Sequence, residues 1–375
     1  MKSSIAALAL LGLQSRPAPT RLVFRMVTAG AGHSCGVAAD GSAYCWGDNA
    51  FGELGTEHRR SSLVPVAVQG GKRFASVSAG DGFTCGLSLS GEVDCWGRMV
   101  GTEADSGHGG RSDLPLAVSG DQFFLQISAG TDHVCGVAIE HHVYCWGSNS
   151  DGQLGTGDTA RAYRPARIAS DVAFSSVSAG EFHTCGVATD GSVYCWGNNR
   201  GGRLGNGSYT ASRVPVQVAR VKDFVAVSAG GRHTCGLSAP GTVFCWGDNF
   251  HGQAAGGRTG NSVPIQLRAR YRMESVTTGD SHSCALILRN FLRLWCWGSN
   301  QDNQLGFNTA FAPSRSPFEG IRFVQVDAGD FHTCGTTEDG TAWCWGRNNG
   351  GQLGDGTVRS PARPVRVAEP DTASR

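Results

Sequence analysis

The sequence predicts an all-β chain folded as a seven-bladed β-propeller with about four antiparallel strands per blade, and three observations predict it. Cys-Trp-Gly recurs seven times, centred on Trp46, Trp96, Trp146, Trp196, Trp246, Trp297 and Trp345, at intervals of 50, 50, 50, 50, 51 and 48 residues. Each unit holds four short strand-like runs: in the fourth copy FSSVSAG, HTCGVAT and SVYCWGN, followed by a run of the VPVQV kind. Glycine numbers 55 in 375 residues, about twice ordinary usage, as expected where many short strands meet in tight turns.

Turn residues punctuate the runs in a fixed order. Ala-Gly follows the first run, Asp-Gly or an equivalent separates the second from the third, and a Gly/Asn-rich loop leads to the fourth. Equal units of this kind outweigh the two-domain prior that the chain length alone suggests. Four strands per unit fit a propeller blade. The first copy starts at Phe24 with no Val-Pro-Val run before it, while the chain ends with a spare one, Arg363–Val367. A C-terminal strand joining the first blade is therefore expected to close the ring and remove an exposed edge. The expected organisation is a leader at 1–20, a propeller at 21–368 and a disordered tail at 369–375.

Strand periodicity places Tyr194 and Trp196 on one face of their strand and Cys195 on the other. Blades stack on both faces, so both sets can be buried, and the tryptophans are read as core. Lys plus Arg total 32 against 31 for Asp plus Glu. That balance argues against a nucleic-acid or anionic-membrane partner held by bulk charge. The apolar stretch Ile5–Leu13 is too short to span a bilayer, which takes about twenty residues. With Lys2 before it, the stretch suits the core of a secretory signal peptide, although no clear A-x-A precedes Arg16.

The unit A-G-x-x-H-x-C-x-(V/L), then D-G-x-V-x-C-W-G-x-N-x-x-G-Q-L-G, resembles the repeat of the regulator of chromosome condensation family. It is similar to the cysteine-bearing bacterial variant, related to the β-lactamase inhibitory propeller. The resemblance covers about residues 24 to 368 and implies a seven-bladed propeller acting mainly through protein–protein contacts. It also implies guanine-nucleotide exchange on a small GTPase as an alternative. In the family that activity uses a wedge projecting from one blade, for which the near-constant loop lengths here leave no room.

Fourteen cysteines form seven pairs: Cys35 with Cys45, Cys85 with Cys95, Cys135 with Cys145, Cys185 with Cys195, Cys235 with Cys245, Cys284 with Cys296 and Cys334 with Cys344. Each pair brackets a hairpin with an odd number of intervening residues. A three-residue turn such as Ala39-Asp40-Gly41, with Gly41 left-handed, sets the two cysteines directly opposite on one face. Cross-hairpin disulfides fit this parity, each contributing about 2–3 kcal/mol in the chain-entropy model. Buried free thiols packing as small apolar groups are a second reading. A His-Cys-Cys metal cluster is a third, since His33, His133, His183, His233, His282 and His332 each lie two residues before a cysteine. Against it, the second copy has Phe83 there and keeps both cysteines, and no C-x-x-C occurs. The histidines are read as structural, fixing a turn or bridging blades, and no metal or cofactor is expected.

Alternating turns put the Ala-Gly turns and the long loops on one face of the ring, where binding residues are expected. Its tips carry Phe51, Phe182, Arg232, Phe250, His251 and Phe331, with Met99 and Val100 in the altered second copy. Aromatic and arginine side chains anchor interfaces out of proportion to their number, although some of these are equally suited to filling gaps between loops. In the sixth copy Phe291 and Leu292 sit at a lengthened hairpin tip on the opposite face. Asn149–Gly152 has a weak calcium-loop look that one match among many Gly/Asn turns does not support.

The functional expectation is a non-enzymatic, secreted or periplasmic/cell-envelope protein-binding scaffold, monomeric and without a transmembrane segment. The alternatives are the exchange factor, which a cytoplasmic location would favour, and a propeller-based enzyme of unknown class. No G-x-S-x-G, H-E-x-x-H or Walker loop marks a catalytic site.

Overall fold

In the computed structural model, residues 21–98, 110–219, 221–257, 259–287, 294–307, 318 and 320–370 are described. The first unit folds as strands β1 (Phe24–Ala29), β2 (His33–Ala38), β3 (Ala43–Gly47) and β4 (Ser62–Ala67), hydrogen-bonded in chain order. Five further units repeat this antiparallel order over 74–117, 124–167, 174–217, 224–266 and 323–366. The sixth has three described strands: Met273–Thr278, His282–Ile287 and Leu294–Gly298. The chain is thus a seven-bladed, all-β propeller.

Closure differs from the expectation in one respect. The C-terminal strand Val365–Arg366 does not join the first blade; it pairs with Ala342–Gly346 of its own unit. The Val-Pro-Val run ends each unit instead of opening the next, so the first blade is already complete with Ser62–Ala67. The ring closes through blade-to-blade bonds of backbone and side chains, Phe24 N donating to Gly340 O at 2.9 Å across the seam. In each of several blades a hydroxyl near the end of the innermost strand accepts the next blade's amide, as in Ser128 Oγ from Ala179 and Ser178 Oγ from Ala229, both 3.0 Å. At the seam Asp327 fills this role, accepting from Ala29 N at 2.9 Å and Thr28 Oγ1 at 3.0 Å. The ends of the ring meet where Leu22 N donates to Glu369.

The Ala-Gly turns explain one invariant feature of the repeat. A Cβ on Gly30, Gly80, Gly130, Gly180, Gly230, Gly279 or Gly329 would collide with the carbonyl oxygen of the equivalent glycine in the next blade. The turns converge on the propeller axis, and only glycine permits that approach.

The hairpin geometry is as the parity requires. Cys35 lies directly opposite Cys45 in the ladder, and Gly41 has φ +85°. In the same way Cys85 faces Cys95, Cys135 faces Cys145, Cys185 faces Cys195 and Cys235 faces Cys245. Cys284 faces Cys296 across the lengthened sixth hairpin, and Cys334 faces Cys344 in the last blade. All seven pairs are disulfides with Cα atoms 4.0–4.1 Å apart, and no cysteine is free. The disulfide reading therefore holds for every pair, and neither free thiols nor thiolate metal ligands remain. Buried pairs pack on the next blade: Cys135 and Cys145 share a core cluster with Trp196, and Cys185 and Cys195 share one with Trp246. Replacing Cys185 and Cys195 together by alanine is expected to destabilise the fold by about 2–3 kcal/mol in chemical denaturation. An unchanged midpoint would show that the crosslink does not restrain the unfolded chain.

The repeated histidines bridge blades. Each is fully buried. Nε2 of His33, His133, His183 and His282 lies 2.8–2.9 Å from the Thr84, Thr184, Thr234 and Thr333 hydroxyls, each in the following blade. Ser283 and Ser34 serve His233 and His332 at 2.7 Å. These hydroxyls already donate to a carbonyl, Thr234 to Arg203 O and Thr184 to Gln153 O. One proton cannot serve two bonds, so the hydroxyl accepts and the histidine is the neutral Nε2–H tautomer. Trp246 Nε1 donates to the same Arg203 carbonyl, tying three successive elements together. The second blade shows the apolar counterpart: Phe83 replaces histidine, and Val134 stands where the hydroxyl partner would be, both fully buried.

Candidate functional site

The Ala-Gly turns and the long loops emerge on one face, termed the upper face. An asparagine, buried in all but the sixth copy, stiffens six of the long loops. Asn49, Asn149, Asn199, Asn249, Asn300 and Asn348 accept through Oδ1 the amide five residues on, at 2.8–3.0 Å. Asn149 Nδ2 also reaches Ala160 O at 3.0 Å, so Asn149–Gly152 is a hydrogen-bonded loop brace and not a calcium loop. The equivalent position in the second copy is Met99.

At the centre of this face the turns surround an open funnel. Its wall carries Asp81, Glu181 and Asp330, with Asp280 beside it. Burial raises the Asp330 carboxyl to about 7, and the like charges of Asp280, Asp81 and Glu181 add to the shift while Arg347 opposes it. Burial and then Asp280 also raise Glu181. Carboxylates so placed repel one another when ionised. The flanking cations compensate this charge only in part: Arg98 reaches the Asp81 carboxylate at 3.5 Å and Arg232 lies 3.8 Å from Asp280. Arg98 bonds Asp132 at 2.7 Å and the Asp81 and Thr131 carbonyls. Buried Arg203 donates to the Gly231 carbonyl at 2.9 Å.

The sequence-predicted rim residues divide into two groups. Phe51 is half-buried against Gly82, beneath Arg111 at 4.7 Å. Phe331 is half-buried with the Arg347 guanidinium 3.8 Å from its ring centre, and Arg347 is bidentate to Asp302 at 2.9 and 3.0 Å. These two fill gaps between neighbouring loops. Phe250 is 74% exposed with His251 edge-on at 5.1 Å, and Phe182 is 37% exposed. Arg232 is exposed, 3.8 Å from Asp280. The backbones of Arg232 and Asp248 are bonded, so Arg232 and the Phe250 loop share one sector of blade five, with Phe182 on the neighbouring blade. Met99, Val100, Phe291 and Leu292 lie outside the described residues. The funnel carboxylates were missed because each is one variable residue after Ala-Gly, and only closure brings them together.

Among the described residues no group of three or more His, Cys, Asp or Glu side chains is arranged to hold a metal ion. The histidines lie against the next blade's hydroxyls. Among the described residues, too, no helix is long and apolar enough to cross a membrane. Seven disulfides suit an oxidising environment.

Seven sheets packed around an axis, with a regular core and variable upper loops, define a repeat propeller built for presenting loops. The chain belongs to the regulator of chromosome condensation (RCC1) repeat family, whose repeat matches residues 40–87, 140–187, 190–237, 240–286, 293–335 and 339–374. A second repeat pattern of the same description matches 124–153, 174–203, 224–253 and 323–352. The Arabidopsis thaliana ultraviolet-B receptor UVR8 is 37% identical over 82 residues, 21% of this chain and 18% of the receptor. The match therefore spans under a fifth of that relative's length. Human WBSCR16 superposes with a TM-score of 0.77 at 23% identity, covering 88% of this chain and 95% of that one. Prp20p from Saccharomyces cerevisiae, described with its binding to Gsp1p and histones, also gives 0.77, at 18% identity over 93% and 88%. At these identities the likeness shows the fold.

Proposed function

We propose that this chain is a secreted or cell-envelope scaffold that binds a protein partner through its upper face. The observation that carries the reading is the sector formed by Phe250, His251, Arg232 and Phe182, which places exposed aromatic and guanidinium groups on braced loops beside an acidic funnel. Large amphipathic side chains on rigid loops lose little entropy on binding and make efficient anchors. Prp20p, a propeller of the same fold, is described as binding Gsp1p and histones, which supports protein recognition as the kind of function. The disulfides support an oxidising compartment and thereby disfavour exchange on a cytosolic GTPase.

Pull-down from an envelope fraction compares the wild type with Phe250→Ala/Arg232→Ala. Loss of captured partner by at least about tenfold is expected, in the range of one or two interface anchors. Equal capture rejects this face. Acceleration of nucleotide release from a panel of small GTPases would favour the exchange-factor reading instead.

A further inference from the structure

The lower face, where the hairpin turns emerge, carries an apolar cluster on the second and third blades. Leu89 is 76% exposed, Ile139 58%, Leu125 56% and Phe123 46%. They are contiguous. Ile139 N donates to Phe123 O at 3.0 Å. The Phe123 side chain lies against Gly91 of the neighbouring turn, two residues from Leu89. Leu125 is the extra residue of the bulge between Phe124 and Gln126. The repeat does not require this. The positions equivalent to Phe123 hold Arg73, Ala173, Asp223, Arg272 and Arg322, besides Val23. Those equivalent to Ile139 hold Ala39, Thr189, Ala239 and Glu338, with leucine at Leu89 and Leu288. Four large apolar side chains therefore gather on one sector, whereas the other described residues at these positions are mostly small or charged, with Val23, Val225 and Val324 as isolated exceptions.

The rim of the cluster is acidic. Glu92 follows Gly91, Asp121 lies two residues before Phe123, and Glu140 follows Ile139. All three are exposed. Among the described residues Glu92 and Glu140 accept hydroxyl bonds alone, from Ser90 at 3.0 Å and Tyr144 at 3.1 Å. The nearby cations are engaged elsewhere: Lys72 with Asp94, Arg73 with Asp40, and Arg167 with Asp171. An apolar centre with an uncompensated anionic rim selects a ligand of the inverse pattern, because the rim steers opposite charge and rejects like charge.

We propose that this sector is a second docking site, distinct from the upper face, and that its occupant is a protein segment with large apolar anchors flanked by lysine or arginine. The apolar side chains seat on Phe123, Leu125, Leu89 and Ile139, and the flanking cations meet Glu92, Asp121 and Glu140.

The test applies two immobilised synthetic peptide libraries to the folded, disulfide-intact chain. In one, two large apolar residues are flanked by lysines; in the other, by glutamates. The wild type and Phe250→Ala are expected to be retained by the lysine-flanked library alone. Phe123→Asp is expected to lower that retention at least about tenfold, and Glu92→Lys/Glu140→Lys about fivefold at low salt. Both positions are exposed, and unchanged thermal unfolding of the variants confirms that they fold. Equal retention by the two libraries, retention by neither, or retention indifferent to Phe123→Asp overturns the proposal. So does sedimentation showing a dimer that Phe123→Asp dissociates, because a second copy would then be the occupant. Retention lost on Phe250→Ala but kept on Phe123→Asp would place the peptide on the upper face and also overturns it.

Discussion

Lowering the pH from about 7.5 to about 5.5 is expected to destabilise the folded chain by several kcal/mol, with the disulfides intact. The cause is the set of six fully buried histidines. Burial lowers His33 to about 4 and His133, His233, His282 and His332 to about 3, and it holds His183 well below its ordinary value. In the unfolded chain each titrates near 6.5. The unfolded state therefore binds more protons between these values, and stability falls with pH in that window. It is fully present above about 6.5 and declines steadily as pH falls toward about 4. At pH 5.5 the loss is about 1.4 kcal/mol for each histidine.

Asp330 acts in the opposite sense. Its folded value of about 7 lies above that of an unfolded aspartate, so its protonation relieves strain by roughly 2 kcal/mol over the same interval. Asp327 and Glu181, also raised by burial, add relief of the same sign. Six histidines still outweigh these carboxyls. Urea unfolding at the two pH values measures the difference, and an equal or higher midpoint at pH 5.5 would refute the neutral-histidine account.

His183→Ala is expected to cost about 3–5 kcal/mol, combining the cavity left by the ring with the loss of the bond to Thr234. The double change His183→Phe/Thr234→Val should return to within about 1.5 kcal/mol of the wild type, because it installs the Phe83 and Val134 arrangement already present between the second and third blades. Thr234→Val alone leaves the His183 Nε2–H without its acceptor and should be worse than the double change. Denaturation of the three variants closes the cycle. Simple additivity would mean that the ring and the hydroxyl act independently.

Much of this was legible in the chain before folding. The seven Cys-Trp-Gly triplets, the four runs per unit and the odd spacing within each cysteine pair are local features, and the blade and the facing of its two cysteines follow from strand periodicity and turn length alone, while the bond between them was settled by the structure. The structural role of the histidines was readable from the second copy, which lacks one and keeps its cysteines. Their partners were not, because each hydroxyl sits 50 or 51 residues onward in most blades and about 298 residues away at the seam.

Closure was read in kind but not in detail. A spare Val-Pro-Val run at the C-terminus suits a strand exchanged into the first blade as well as one kept in the last, and pairing geometry decided for the last. Phe51 and Phe250 illustrate the limit for the binding face. Both are loop phenylalanines in the same motif, yet Phe51 meets Gly82 and Arg111 of the next blade while Phe250 meets mainly solvent.

The sequence by itself determined the blade, the number of blades and which cysteines face one another, since each depends on residues within one unit of about fifty. The tertiary structure alone decided how the ring is sealed, which carboxylates share the funnel, and which aromatic side chains remain free. Those depend on neighbours that only the packing of one blade on the next brings within reach, and the repeat spacing carries no information about the variable residue on the far side of that contact.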